Sequence, residues 1–194
     1  MKILVTGATG FVGKRLLRRL LLRGDKVVAL TRSRRNLSTQ DASDRIVVVE
    51  GDPAKPGDWQ QQIAGCDAIV TLAGEPLFGE RWGTSFKDRL IDSRVESARQ
   101  ICASLAQLGP ESRPRVWVAA SAIGYYGARG DEGLTEQSSP GDDFLARLCM
   151  RWEEETRVAE SLGVRVVLLR IGIVLGDGGG MMSKLVPAFR MFAG

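Results

Sequence analysis

The sequence contains no histidine, only three cysteines and only two tyrosines in 194 residues. The absence of histidine excludes a Ser-His-Asp triad, a Cys-His dyad and any histidine-based metal site. Cys66, Cys102 and Cys149 are widely spaced, without the pairing that metal ligands show. We therefore expect reduced core thiols and no metal centre.

Long apolar runs are absent as well. No stretch approaches the roughly 18–20 apolar residues that a membrane span requires. The first predicted strand starts at residue 3, which leaves no room for a signal peptide. These features predict a cytoplasmic protein with no membrane partner. The length and the ordinary composition, 44% hydrophobic and 26% charged, predict one globular domain over residues 1–194.

The formal net charge of +4 raises the question of a nucleic-acid partner. Arginines cluster within residues 15–23 and 32–35, but aromatic residues for base stacking do not alternate with them. We interpret the first cluster as the solvated face of a helix and predict no nucleic-acid partner.

Apolar segments of two kinds alternate along the chain. Uniformly apolar runs predict strands at residues 3–6, 26–30, 45–50, 67–72, 115–120 and 164–170. Helical periodicity predicts helices at residues 12–23, 56–64, 89–108 and 144–162. Strands so uniformly apolar are covered on both faces. The pattern therefore predicts an α/β fold with a doubly wound parallel sheet, Rossmann-like, in three αβα layers.

Three glycines, Gly7, Gly10 and Gly13, follow the first strand and open the first helix. In a doubly wound fold this turn binds a dinucleotide's diphosphate, because free backbone N–H groups and the helix dipole face the anion there. One glycine makes the turn, one lets the phosphates approach, and one lets helix and strand pack closely. The spacing and context predict a dinucleotide site.

The segment after the second strand predicts which dinucleotide binds. It carries Thr31, Arg32, Arg34 and Arg35 and has no carboxylate at the tip. A carboxylate there would bind the ribose 2′-OH of NAD, whereas arginine accommodates the 2′-phosphate of NADP. We therefore predict NADP, with a basic surface loop as the alternative for Arg34 and Arg35.

The spacing of residues 6–13 resembles the short-chain dehydrogenase/reductase superfamily, its extended branch in particular. The resemblance implies that Asp52 lies at the adenine and that Leu72, Ala73 and Gly74 run beside the nicotinamide ribose. Segments 72–76, 92–94, 121–127 and 175–180 are similar to an uncharacterised epimerase-like subfamily. That subfamily carries a C-terminal substrate lobe, which is expected to be largely absent from this chain. Many relatives dimerise through the helices after strands four and five, which implies a possible homodimer.

The superfamily's Tyr-x-x-x-Lys pair is missing. Its two positions fall on Phe144 and Leu148, and no lysine lies between Lys87 and Lys184. The usual serine position falls on Ala122, one residue after Ser121. The pair that exchanges a proton with the substrate hydroxyl therefore cannot be recovered by shifting the alignment.

Two residues remain as candidates for catalysis. Ser121 ends strand five at the ligand-binding edge of the sheet, where it either contacts the nicotinamide or substrate or simply caps the strand. Tyr125 is a candidate proton donor, with a pocket-lining role as the alternative. Arg94 is expected to be buried or to face the cofactor, unless it joins surface ion pairs. The predicted cofactor-binding residues are Gly7, Thr9, Gly10, Phe11, Val12, Gly13, Thr31, Arg32, Asp52, Leu72, Ala73, Gly74 and Arg94.

Two functions remain open at this point. The chain is either an NADP-dependent oxidoreductase or epimerase-like enzyme acting on an unknown small molecule with unusual acid–base groups, or a non-catalytic NADP sensor or scaffold. The intact glycine turn favours the first function, and the missing tyrosine–lysine pair favours the second.

Overall fold

The computed structural model describes residues 1–34, 43–78, 80–177 and 179–192. Six strands form one parallel sheet in the order β3-β2-β1-β4-β5-β6. Their bounds are β1 Lys2–Thr6, β2 Lys26–Thr31, β3 Ile46–Glu50, β4 Ala68–Thr71, β5 Val116–Ala122 and β6 Arg165–Ile171. The predicted doubly wound Rossmann-like sheet is confirmed, and its strand order reverses between β1 and β4.

Five α-helices accompany the sheet in the described residues: α1 Phe11–Leu22, α2 Thr84–Ile91, α3 Ser97–Gln107, α4 Phe144–Ser161 and α5 Met182–Arg190. The helix predicted at 89–108 starts earlier, in α2, and reaches α3 through a π-helical segment at Asp92–Glu96. The short helix predicted at 56–64 is a 3₁₀ helix at Asp58–Ile63.

Apolar side chains fill the space on both faces of the sheet. On one face Ile3 and Val5 of β1 pack with Leu17 and Leu20 of α1. On the other face the core includes Leu4 of β1, Trp117 of β5, and side chains from α3 and α4. The alternation along β1 places successive side chains on opposite faces. This gives the three-layer arrangement predicted from the uniformly apolar strands.

Beyond β6 the structure contains elements that the sequence pattern did not predict. A short antiparallel hairpin pairs β7 Leu175–Gly176 with β8 Gly179–Gly180, and α5 follows it. Glycine-rich hairpin strands carry no apolar alternation, and Pro187 inside α5 interrupts a helix pattern. The local sequence pattern in this segment is therefore too weak to predict the hairpin and α5.

The three cysteines are all buried and free, as expected. Burial raises the pKa of all three thiols, that of Cys102 to about 12. None of the described helices has the length and apolar content needed to cross a bilayer.

Candidate functional site

The three glycines between β1 and α1 meet three different constraints. Gly7 has φ +72°, and a Cβ there would lie 2.7 Å from the backbone nitrogen of Ala73. A Cβ on Gly13 would lie 2.0 Å from the Gly7 carbonyl oxygen. A Cβ on Gly10 would meet only the Gly7 oxygen, at 3.3 Å. Packing thus requires glycine at positions 7 and 13, whereas Gly10 keeps an open face.

The N-terminus of α1 opens onto that face. Gly10 is the N-cap residue, no side chain caps the helix, and its first turn contains no acidic residue. The first N–H groups of a helix have no partner within the helix and carry its partial positive charge. The turn therefore fits a diphosphate, because an anion can reach the backbone at Gly10 without displacing a side chain.

A groove of about 240 Å³ extends from this turn across the carboxyl ends of β2 and β4, and we call it the cradle groove. It brings together most of the residues predicted to bind the cofactor. Among its lining residues are Gly7, Thr9, Gly10, Thr31, Arg32, Asp52, Leu72, Ala73 and Gly74.

The end of β2 has the predicted basic character. Arg32 is exposed and lines the cradle groove, whereas Thr31 is buried and its hydroxyl donates to the carbonyl of Ser33 at 3.0 Å. The side chain of Asp52 accepts from the backbone N–H of Ala54 at 3.0 Å, which stabilises the turn after β3. Arg34 is exposed, and Arg35 lies outside the described residues.

Four of the predicted cofactor residues do not line the cradle groove: Arg94, which is described below, and Phe11, Val12 and Gly13. The Phe11 ring packs against the β7–β8 hairpin, where a Cβ on Gly179 would lie 2.1 Å from it, and the Arg15 guanidinium lies 3.9 Å from the ring centroid. Gly13 is buried behind the turn. Val12 lines a second cavity.

This second cavity is a cleft of about 850 Å³ at the carboxyl ends of β4, β5 and β6, and we call it the apolar cleft. It borders the cradle groove at residues 72–76, from Leu72 to Pro76, which line both. Its other walls include Ile123, Leu145, Trp152, Ile173 and Val174. A cleft of this size can hold most of a small organic molecule.

Ser121 lies at the apolar cleft and belongs to a buried ionic network that was not predicted. Its hydroxyl donates to Glu153 Oε1 of α4 at 2.5 Å. The guanidinium of Arg170, from β6, grips the same carboxylate through two hydrogen bonds of 2.9 and 2.8 Å. These hydrogen bonds raise the pKa of Arg170. The network couples a serine at the cleft to a carboxylate that is 4% exposed.

The two tyrosines lie on the far side of Arg170. The Arg170 guanidinium stacks 3.4 Å from the ring centroid of Tyr125 and donates to the hydroxyl of Tyr126 at 2.9 Å. Neither tyrosine is among the residues that line the apolar cleft. The candidate Tyr125 is thus held against the ion pair, and its predicted role as a proton donor stays a prediction.

The positions of the missing tyrosine–lysine pair are part of the packing. Leu148 is 3% exposed within the core, and Phe144 packs against it. Trp82 meets the Phe144 ring edge-on at 6.0 Å. Phe144 and Leu148 therefore contribute apolar packing and cannot exchange a proton.

Arg94 projects from the π-helical segment into the wall of the apolar cleft. Its hydrogen-bond acceptors are the carbonyls of Leu90 and Glu75, at 3.2 and 2.9 Å, and the Ser93 hydroxyl at 3.2 Å. Burial lowers the pKa of its guanidinium. It lies against Gly74, where a Cβ would be 3.2 Å from its central carbon. Arg94 is partly buried, and its contact with the cofactor stays a prediction.

Sequence reasoning missed Glu153 and Arg170. Glu153 lies on the same helix as Leu148, five residues after it, and Arg170 interrupts an apolar strand, so a charged residue in a buried element was the available signal. The ion pair itself joins residues 17 positions apart on different elements, and no local pattern predicts that contact.

Known proteins resemble the chain over its whole length. The family model "NAD dependent epimerase/dehydratase family" matches residues 3–193. "Epimerase family protein SDR39U1 homolog, chloroplastic" of Arabidopsis thaliana is 37% identical over 199 residues, covering 100% of this chain and 55% of that protein. "Epimerase family protein YfhF" of Bacillus subtilis is 31% identical over 195 residues, with 100% and 61% covered. The chain thus spans little more than half of these curated relatives.

Solved structures agree in fold. The crystal structure of human epimerase family protein SDR39U1 (isoform 2) with NADPH has a TM-score of 0.79 and 29% identity, covering 100% of this chain and 61% of that one. UDP-glucuronic acid 4-epimerase from Bacillus cereus in complex with NAD has a TM-score of 0.81 at 19% identity, covering 98% and 64%, and supports the fold alone. The resemblance predicted from the motifs is confirmed, and the chain belongs to the NAD-dependent epimerase/dehydratase family.

Proposed function

We propose that this chain binds NADP(H) in the cradle groove and acts as an oxidoreductase or epimerase-like enzyme on a small molecule in the apolar cleft. The observation that carries the proposal is the turn at Gly10, where a helix N-terminus without a side-chain cap meets a face that this glycine keeps open. The human relative of known structure holds NADPH, which supports a nicotinamide dinucleotide.

The choice of the phosphorylated dinucleotide depends on the end of β2. Arg32 lines the cradle groove, and residues 31–34 contain no carboxylate that would repel a 2′-phosphate. Asp52 lies across the groove and Leu72, Ala73 and Gly74 lie at its other end, next to the apolar cleft. The proposed cofactor therefore runs from Arg32, past Gly10, to the border between the two cavities.

The bound cofactor would supply or accept a hydride at this border. The chain supplies the proton path, because the hydrogen of Ser121 points to Glu153 and leaves the Ser121 oxygen to accept. In the direction of oxidation, a substrate hydroxyl would give its proton to Ser121 Oγ while Ser121 passes its own proton to Glu153 Oε1. Arg170 holds Glu153 in place through both carboxylate oxygens.

A non-catalytic NADP sensor is the second candidate. It is favoured by Phe144 and Leu148, which fill the positions of the family's proton-exchanging pair with packed apolar side chains. Both candidates require NADP(H) binding, and only the first requires turnover.

Calorimetric titration with NADPH and NADH tests the proposal. We expect the wild type to prefer NADPH and R32Q to lose about tenfold in NADPH affinity with little change for NADH, since one charged hydrogen bond contributes about 1.5–3 kcal/mol. R18Q removes an exposed arginine from α1, away from the groove, and serves as the matched control.

The outcomes separate the alternatives. Absence of binding by either dinucleotide, or a preference for NADH, contradicts the proposal. NADPH binding without oxidation at 340 nm against a panel of sugars, aldehydes and quinones favours the sensor.

A further inference from the structure

The apolar cleft is lined by one guanidinium, that of Arg94, which makes no direct ion pair with the described residues. In the described part of the chain, no carboxylate comes within ion-pair distance of Arg94, and its acceptors are two carbonyls and one hydroxyl. The other largely buried arginine at this edge, Arg170, is paired through two bonds with Glu153. The Glu75 carboxylate, which also lines the cleft, favours the charged form of Arg94 without bonding to it. A partly buried guanidinium without a directly bonded counter-ion is still unfavourable, which points to a further partner from outside the chain.

One edge of the Arg94 guanidinium remains available for that partner. Its Nη1 and Nη2 atoms donate to the neutral acceptors, whereas Nε makes no hydrogen bond to the described residues. Yet no buried side-chain nitrogen or oxygen among those residues lacks a partner. Nε is therefore accessible from the cleft that Arg94 lines. The Nε–Nη2 edge of an arginine suits the two oxygens of a carboxylate.

The side chains around Arg94 indicate what the rest of the ligand is made of. The Arg94 guanidinium lies 5.6 Å from the Trp152 ring centroid. Around it the cleft is walled by apolar side chains, including those of Leu77, Ile123, Leu145, Ile173 and Val174. A ligand that fills this cleft gains from burying apolar surface and from one ionic contact at Arg94.

We propose that Arg94 is the anchor for a carboxylate on the substrate, and that the substrate is a carboxylic acid with an apolar body. This inference rests on the proposed function, since it names the substrate class of the same site.

The cofactor is a less suitable partner for Arg94. Ser93 and Ser97, on the same helical stretch, line the cradle groove, whereas Arg94 lines the apolar cleft. The π-helical turn at Asp92–Glu96 adds a residue to the helix and rotates successive side chains differently from an α-helix. Neighbouring residues of one helix thus serve the two cavities, and Arg94 belongs to the cleft.

A pair of probes of matched shape tests the proposal. The probes are 4-phenylbutyrate and its neutral amide, 4-phenylbutyramide, titrated by NMR into the 194-residue chain saturated with NADPH. We expect the wild type to bind the carboxylate about tenfold or more tightly than the amide, since a charged hydrogen bond adds that much affinity.

Three variants accompany the wild type. R94M should abolish the preference for the carboxylate, R94K should keep part of it, and all variants should bind NADPH with unchanged affinity. R151M removes an exposed arginine of α4 outside the cleft and should keep the full preference. If R94M does not fold, the Nε–H signal of Arg94, assigned by its absence from R94K, must shift with the carboxylate and not with the amide.

Each outcome decides for or against the proposal. Equal binding of the two probes by the wild type, or no binding of either, overturns it, as does a preference that R94M retains. A loss of NADPH affinity in R94M with the carboxylate preference intact assigns Arg94 to the cofactor and also overturns it. Failure of the wild type to bind NADPH contradicts the proposed function and is recorded before any probe is added.

Discussion

The β1–α1 turn and the wall formed by β5, β6 and α4 both lie at the carboxyl edge of the sheet, yet they present different chemical groups to a ligand. The turn uses backbone: glycines, a helix N-terminus and a close approach to Leu72 and Ala73. The wall uses side chains: a serine, a carboxylate and a guanidinium from three elements.

The difference explains why one region resembles the family closely and the other departs from it. A backbone site for diphosphate depends on torsion angles and on the absence of side chains, so few substitutions are compatible with it. A side-chain site can be rebuilt from other residues that reach the same place. Here Phe144 and Leu148 close the family's usual position, and Ser121, Glu153 and Arg170 form a different polar group beside the cleft.

The largest effect is expected at Glu153. E153A would leave the Arg170 guanidinium buried without its partner, and breaking a buried ion pair costs about 3–5 kcal/mol in unfolding free energy. Chemical denaturation of E153A and of E154A, which removes an exposed carboxylate from the same helix, measures the difference.

A double variant separates the charge effect from lost packing. If the penalty comes from the unpaired guanidinium, adding R170M to E153A should cost much less than R170M alone in the wild type. If the losses in unfolding free energy of the two single variants simply add, the two side chains act independently and do not stabilise the fold as one network.

The second effect contrasts two glycines in the turn. G13A places a methyl group 2.0 Å from the Gly7 oxygen, so we expect a loss of about 1–3 kcal/mol in stability, as for overpacked cores. G10A meets one atom at 3.3 Å, so it should cost clearly less stability than G13A while weakening NADPH binding. Thermal unfolding and calorimetry check both variants, and equal destabilisation by the two would contradict the separate roles assigned here.

The contrast between the two regions also explains which parts of the structure can be predicted from the sequence. The doubly wound parallel sheet and most of the cofactor residues in the cradle groove follow from local signals: apolar runs, helical periodicity and a glycine spacing tied to one turn geometry. The prediction that Arg32 binds the cofactor required only its position directly after β2. The exceptions Phe11 and Val12 were assigned from the motif as a block, and the structure directs their side chains to the hairpin and the apolar cleft.

The substrate side could not be predicted in the same way. The contact between Ser121 and Glu153 spans 32 positions and depends on how α4 lies across β5. Tyr125 was proposed because tyrosine can donate a proton, but stacking on Arg170 is a property of the packed structure. Residue type gives the available chemistry, and only the packing gives the partners.

The smallest expected effect concerns the start of α4, which carries Leu145, Trp152 and Glu153 to the substrate side. The side chain of Asp143 accepts from the backbone N–H of Ala146 at 2.8 Å and caps this helix. D143A should destabilise the chain by about 0.5–2 kcal/mol, the usual effect of a lost N-cap. D142A, which removes the neighbouring exposed carboxylate without removing the cap, should leave stability unchanged.

If the two regions are independent, D143A should affect the apolar cleft and leave NADPH binding in the cradle groove unchanged. Fraying of the first turn of α4 moves Leu145 in the wall of the apolar cleft, whereas the cradle groove takes none of its lining from α4. Hydrogen exchange should therefore rise at residues 144–147 in D143A while NADPH affinity stays at the wild-type value. A drop in NADPH affinity of D143A relative to D142A would show that the two regions are coupled through the segment they share, residues 72–76.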